Sequence, residues 1–97
     1  MKFGFKERVW IWPGGTAAWH FVNVPKDISE KIKKKYGANA RGWGSLRVSA
    51  KLGKSTWQTS IFPDKRSGTY LLPMKASIRK TEGVYDGDLV NLKCELI

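Results

Sequence analysis

His20 and Cys94 are the only imidazole and the only thiol in the chain. A metal cage takes several His, Cys or carboxylate ligands, and one cysteine closes neither an intrachain disulfide nor a zinc site. A general base works on a nucleophile with an orienting partner in reach, and no motif around His20 supplies them. Cys94 falls at period two with Val90, Leu92 and Leu96, which reads as a buried thiol in a strand, since free Cys behaves as a small hydrophobe. Asp86-Gly87-Asp88 starts like a calcium loop, but the remaining ligands and the distant Glu are missing. A turn in which Asp88 accepts backbone N–H bonds is expected there. Gly14, Gly15, Gly42 and Gly44 lack the lysine and spacing of a phosphate-cradling loop. The expectation is a protein that is not an enzyme and holds no cofactor and no metal.

Aromatic and basic residues carry the remaining chemistry. Trp10, Trp12, Trp43, Trp57 and Tyr70 could stack on bases or another flat ligand, with Arg41, Arg47 and Arg79 beside them. The competing reading puts such rings in the core of a small barrel, where they bury large areas. Trp19, Trp43 and Trp57 are expected there. Trp10 and Trp12 lie on the wrong parity for a simple core, so with Arg41, Arg47 and Arg79 they form a candidate ligand surface. Lysine and arginine number 18 against 8 acidic residues, a net charge of +10, a balance that attracts polyanions. Lys31, Lys33, Lys34 and Lys35, with the loop pair Lys65-Arg66, are the candidate polyanion contacts. A solvated helix face is the alternative for the lysine cluster.

Periodicity supplies the elements that must position these groups. Phe3, Phe5, Val9 and Ile11 alternate with Lys2, Lys6 and Arg8, the mark of a strand with one buried face. Pro13 to Thr16 is a turn, and a second strand covers 18–24. Ile28, Ile32 and Tyr36 form one helical stripe, with Asp27 or Ser29 as cap and Gly37 as stop. Strands are expected over 43–52, 56–62, 69–72 and 89–97, with hairpin turn 53–55 and polar loop 63–68. Residues 74–80 alternate as a strand would, but Pro73 at a first turn favours a short helix, which is the expectation. A strand, helix, loop and long strand after Phe21 are echoed after Tyr70, so the two halves are expected to pack about a pseudo-twofold axis.

Together these make a mostly β protein, a small closed or double-split β-barrel of about six strands with one or two short helices, in one domain over residues 1–97. Hydrophobic residues at 41% and aromatics at 12%, five of them tryptophan, suffice for one core. No apolar run approaches the roughly 18 residues that span a bilayer. The N-terminal residues alternate rather than form a signal-peptide stretch, so a soluble, cytoplasmic protein with no membrane partner is expected.

Eight runs then come in order: Trp12-Pro13-Gly14-Gly15, Trp19-His20-Phe21-Val22, Val24-Pro25, Gly42-Trp43-Gly44-Ser45, Thr59-Ser60-Ile61-Phe62-Pro63, Tyr70-Leu71-Leu72-Pro73-Met74-Lys75-Ala76, Ile78-Arg79-Lys80 and Gly87-Asp88. The chain resembles, over nearly its whole length, the bacterial family called domain of unknown function 1905. The resemblance implies a double-split β-barrel akin to the swapped-hairpin barrels of AbrB-type and MazE-type regulators. Two chains build the barrel there, and one chain would supply both halves here. It implies no catalytic residues, because none are established for the family, and some members are fused to a domain linked by name to bacteriocin protection. Fold kinship to DNA-binding regulators does not fix function. Two functions stand as expectations: a binding or structural module for a protein or small ligand, and a nucleic-acid binder using the basic surface.

Overall fold

Alternation places Phe5 and Val9 on one face of the N-terminal strand and Lys2, Lys6 and Arg8 on the other. The computed structural model, which describes residues 1–14, 18–39 and 44–97, makes this segment a strand. The strands are β1 (Lys2–Arg8), β2 (Trp10–Ile11), β3 (His20–Asn23), β4 (Leu46–Leu52), β5 (Ser55–Asp64), β6 (Thr69–Pro73) and β7 (Leu89–Leu96). Helix α1 covers Lys26–Tyr36, followed by a 3-10 turn over Gly37–Asn39, and helix α2 covers Ala76–Glu82. Pro73 therefore ends β6 instead of opening the second helix, which starts after Lys75.

The strand order β1-β7-β4-β5-β6-β3-β2 puts β1 and β2 at its two ends, yet only Val9 separates them in the chain. The Val9 N–H donates to Asp88 O at 2.9 Å, and Val9 O accepts from the Gly87 N–H at 2.8 Å. At that residue the strand leaves β7 and joins β3, so the sheet curls round until its edges meet. Taken as one bent strand, residues 2–11 make a ring of six, the expected number, in which every strand has two hydrogen-bonded neighbours. Closure of this kind removes the unpaired edges that invite aggregation.

The same register carries the expected two-fold. β5 pairs with β4 up to Ile61 and with β6 from Phe62, which is the partner change the N-terminal strand makes at Val9. β3 and β6, each followed by a helix, pair antiparallel with each other, and so do β4 and β7. Each half thus gives its long first strand to the last strand of the other.

Inside the ring, Val9, Val22, Val48, Leu72, Ile61 and Leu92 are sealed from solvent together with Ile32 of α1. The α1 stripe explains its seat, with Ile32 in the core and Ile28 packed against it. Its N-terminus departs from expectation. Pro25 is the N-cap and no side chain caps the helix. Ser29 is instead buried in the first turns, where its hydroxyl donates to Val24 O at 2.9 Å and accepts from the Tyr70 N–H at 3.0 Å. A hydroxyl there satisfies one main-chain group of β6 and one just beyond the end of β3, a buried use that outweighs capping. Gly53, at the β4–β5 turn, has φ +59 and sits against the Glu82 carboxylate, where a Cβ would collide.

Candidate functional site

The strand β3 decides the site, because its two faces do different things. His20, Val22 and Val24 point inward, while Trp19 and Phe21 stand on the outer face beside Trp10 and Trp12. The outer face carries its own small apolar cluster. Phe21 and Leu71 are buried but lie outside the main core, and Phe21 is ringed by Trp10 at 5.5 Å, Trp12 at 5.9 Å and Phe62 at 5.9 Å between ring centroids. This second cluster explains the parity of Trp10 and Trp12.

A polar relay closes the cluster. The Trp10 indole N–H donates to Asn23 Oδ1 at 2.6 Å, and the Asn23 amide donates to Thr69 Oγ1 at 2.9 Å. Ser67 Oγ lies 2.8 Å from that hydroxyl and donates to Asp64 Oδ2 at 2.8 Å. Asp64 faces Arg66 across 3.5 Å, and the Arg66 guanidinium lies 4.3 Å from the centroid of the Trp12 ring. Partial burial alone would raise the Asp64 carboxyl. The Ser67 hydroxyl and amide, with Arg66, outweigh it and hold the group below its ordinary range. Trp10, Trp12 and Arg66 are thus partnered with one another.

Trp19, expected in the core, is 58% exposed. Its parity is that of Phe21, and the inward places of β3 belong to His20 and Val22. One side of its ring stacks on Phe21, with 6.4 Å between centroids and 11° between planes. It also borders a cleft of about 460 Å³ whose lining includes His20, Trp57, Thr59, Met74 and Arg79. His20 and Arg79 border a second cavity of about 240 Å³ as well, with Lys80 and Tyr85. The Arg79 Nε–H donates to Met74 O at 3.0 Å, and its Nη1 lies 3.4 Å from His20 Nε2. A guanidinium cannot accept, so Nε2 accepts and the imidazole proton sits on Nδ1, where it is donated to Ala18 O at 2.7 Å. The C-cap Gly83, at φ +67, ends α2 and lets the Val84 N–H reach Arg79 O at 2.9 Å, fixing the backbone of that arginine. Trp57, only 7% exposed, has an indole N–H with no acceptor among the described residues.

The expected aromatic and basic surface is therefore divided. Arg79 stands with His20 in the cleft. Arg47 is exposed on the outer face of β4, 3.3 Å from Ser60 Oγ. Arg41 and Trp43 lie outside the described residues. Trp57 and Tyr70 are buried, which withdraws them from stacking on a partner. Ile11, expected inward, is 39% exposed at the end of β2.

The polyanion candidates are divided as well. Lys31, Lys33, Lys34 and Lys35 are exposed on α1, with Lys35 Nζ 5.5 Å from the Tyr36 ring. Lys65 is exposed, and Arg66 belongs to the Trp12 relay. A basic face that the helix pattern did not reveal lies on β1, β7 and β4. Lys51 and Lys93 are register partners there, Gly4 is opposite Lys93, and Lys2 meets Glu95 at 3.8 Å. Like charges directly opposite on one face repel. The cleft of about 600 Å³ beside this pair also contains Glu82 and Asp88, whose carboxylates are engaged by the Ser55 hydroxyl and the Tyr85 N–H.

Among the described residues no three His, Cys, Asp or Glu side chains gather as a metal-ligand group. No described helix is long and apolar enough to cross a membrane. Cys94 is buried, and burial pushes its thiol up to about 12. The cleft beneath Trp19 was missed at the level of sequence, although the shared parity of His20 with Val22 and Val24 pointed to it. Residues 5–93 match the profile of the family described as Domain of unknown function (DUF1905). No curated protein matches the chain significantly.

Proposed function

The chain belongs to the family of domain of unknown function 1905, and from that premise we propose that it is a non-catalytic binding module whose ligand sits in the cleft beneath Trp19. The carrying observation is the exposed Trp19 ring bordering a cleft in which a buried histidine and a fixed arginine converge. A concave site with an apolar wall and a few convergent polar groups is the usual form of a ligand pocket, and about 460 Å³ falls within its ordinary size. His20 Nε2 is held by the guanidinium rather than by a hydroxyl or thiol, which favours binding over catalysis. A cytoplasmic setting suits the lone, buried thiol. A thermal-shift screen of chemically diverse small molecules tests this reading. Stabilising compounds are expected, and Trp19→Ala is expected to abolish their effect; hits indifferent to Trp19→Ala would refute it.

One observation favours a second reading as a nucleic-acid binder. The Lys51–Lys93 pair, with Lys6 and Arg8, gives the outer face of β1, β7 and β4 a positive stripe tempered by Glu95. Phosphates would relieve the repulsion within it.

A further inference from the structure

We infer that the ligand of the Trp19 cleft is a small planar molecule bearing one oxyanion, held by Arg79 while its ring lies against Trp19. The inference rests on the cleft reading above and adds the chemistry of the ligand.

Arg79 carries the charge. Two of its N–H groups are used, one on Met74 O and one on His20 Nε2, and a guanidinium has five. Its remaining donors face no carboxylate within ion-pair distance, because the ion pairs among the described residues are Lys2–Glu95 and Arg66–Asp64. The side chain is half-buried. A cation partly removed from water without a counter-charge is costly. Arg66 shows the alternative in the same molecule, with a carboxylate and a ring both supplied by the protein. At Arg79 no carboxylate is supplied among the described residues, and the residues described around both cavities include none. Lys75 and Lys80 extend the positive field on either side.

The geometry narrows the ligand further. With Nε and one Nη1 proton held by the protein, the remaining charged N–H donors lie on Nη1 and Nη2, and such donors suit carboxylate or phosphate oxygens. Trp57 lines the same cleft, and its buried indole N–H lacks an acceptor among the described residues. The exposed Trp19 ring offers a flat apolar wall, to which planar rings bind by offset stacking. An oxyanion toward Arg79 and a ring toward Trp19 satisfy the guanidinium and the flat wall together.

Calorimetric titration of the full chain with charged and neutral twins tests this. The probes are indole-3-acetate against indole-3-acetamide, and adenosine 5′-monophosphate against adenosine. At least one anion should bind about tenfold or more tightly than its neutral twin, the usual gain of a charge-assisted hydrogen bond. The pair showing the gap separates carboxylate from phosphate. Arg79→Gln should erase the gap, and Arg66→Gln should leave it. The comparison of twins on the unaltered chain stands even if Arg79→Gln folds poorly. Equal binding of both twins overturns the oxyanion and leaves the cleft reading standing. Failure of all four to bind also overturns the inference, while the thermal-shift screen, which does not depend on charge, judges the cleft reading separately.

Discussion

The guanidinium of Arg66 lies 4.3 Å from the centroid of the Trp12 ring, with Asp64 Oδ1 3.5 Å from its Nε. A cation over an indole is worth about 0.5–1 kcal/mol at an exposed site. Arg66→Ala should therefore cost roughly that much in urea unfolding and change the tryptophan emission. No change in either would mean that the stack does not persist in solution.

Ser29→Ala should cost more than its exposed neighbours suggest. Its hydroxyl satisfies both Val24 O and the Tyr70 N–H in a buried setting. Removing it strands one acceptor and one donor, worth about 1–3 kcal/mol. Replacing a helix-surface residue such as Lys34 should stay within about 0.5 kcal/mol. Equal losses at the two positions in urea melts would contradict the bridge.

Leu92 lies where β7 meets both neighbours, opposite Phe5 of β1 and Leu52 of β4, and is fully buried. Leu92→Ala should destabilise by about 2–5 kcal/mol through lost burial and a residual cavity. A loss below about 1 kcal/mol would place the wrong face of β7 inward.

Much of this was legible in the sequence. The parity of Phe5, Val48 and Leu92 found the strands, the Ile28/Ile32/Tyr36 stripe found α1, and the echo of Phe21–Pro25 at Tyr70–Pro73 found the two-fold. Parity alone cannot say which face turns inward when both are apolar, and on β3 both are: Trp19 and Phe21 oppose Val22 and Val24. The inward face follows from the pairing of β3 with β6, a long-range contact. Arg66 and Trp12 went to separate surfaces for the same reason, since 54 positions separate them in the sequence.

Alkaline pH should weaken the fold. Burial pushes the Cys94 thiol up to about 12 from 9.0 and raises the Tyr70 phenol. The unfolded chain thus releases these protons at a lower pH than the folded chain. The thiol's contribution is fully present below its unfolded value of 9.0 and is lost as pH rises through about 12. Urea midpoints should fall through that range, and less steeply in Cys94→Ala. A thiol reagent at about pH 8 should label Cys94 only after denaturant is added; labelling of the native chain at the unfolded rate would contradict the burial.

For the nucleic-acid reading, anisotropy titrations of DNA and RNA oligonucleotides at several salt concentrations are decisive. Contacts to five phosphates give a log–log salt slope of about −4 to −5 on duplex DNA. The Lys51→Glu, Lys93→Glu double variant should flatten it if the sheet face binds, and the Lys33→Glu, Lys34→Glu double variant if α1 does. No binding near 50 mM salt would leave the charge with a solubility role.

The cleft beneath Trp19 is tested most directly by the indole N–H signals of the five tryptophans in a nitrogen-correlated NMR spectrum, followed while indole-3-acetate and, in a second titration, adenosine 5′-monophosphate are added. Trp19 and Trp57 border the cleft, whereas the Trp10 N–H is tied to Asn23 and the Trp12 ring is covered by Arg66. With at least one of the two anions, the Trp19 and Trp57 signals are expected to move together along one saturable curve while those of Trp10 and Trp12 stay in place. Movement of Trp10 and Trp12 with Trp19 and Trp57 unmoved would contradict it.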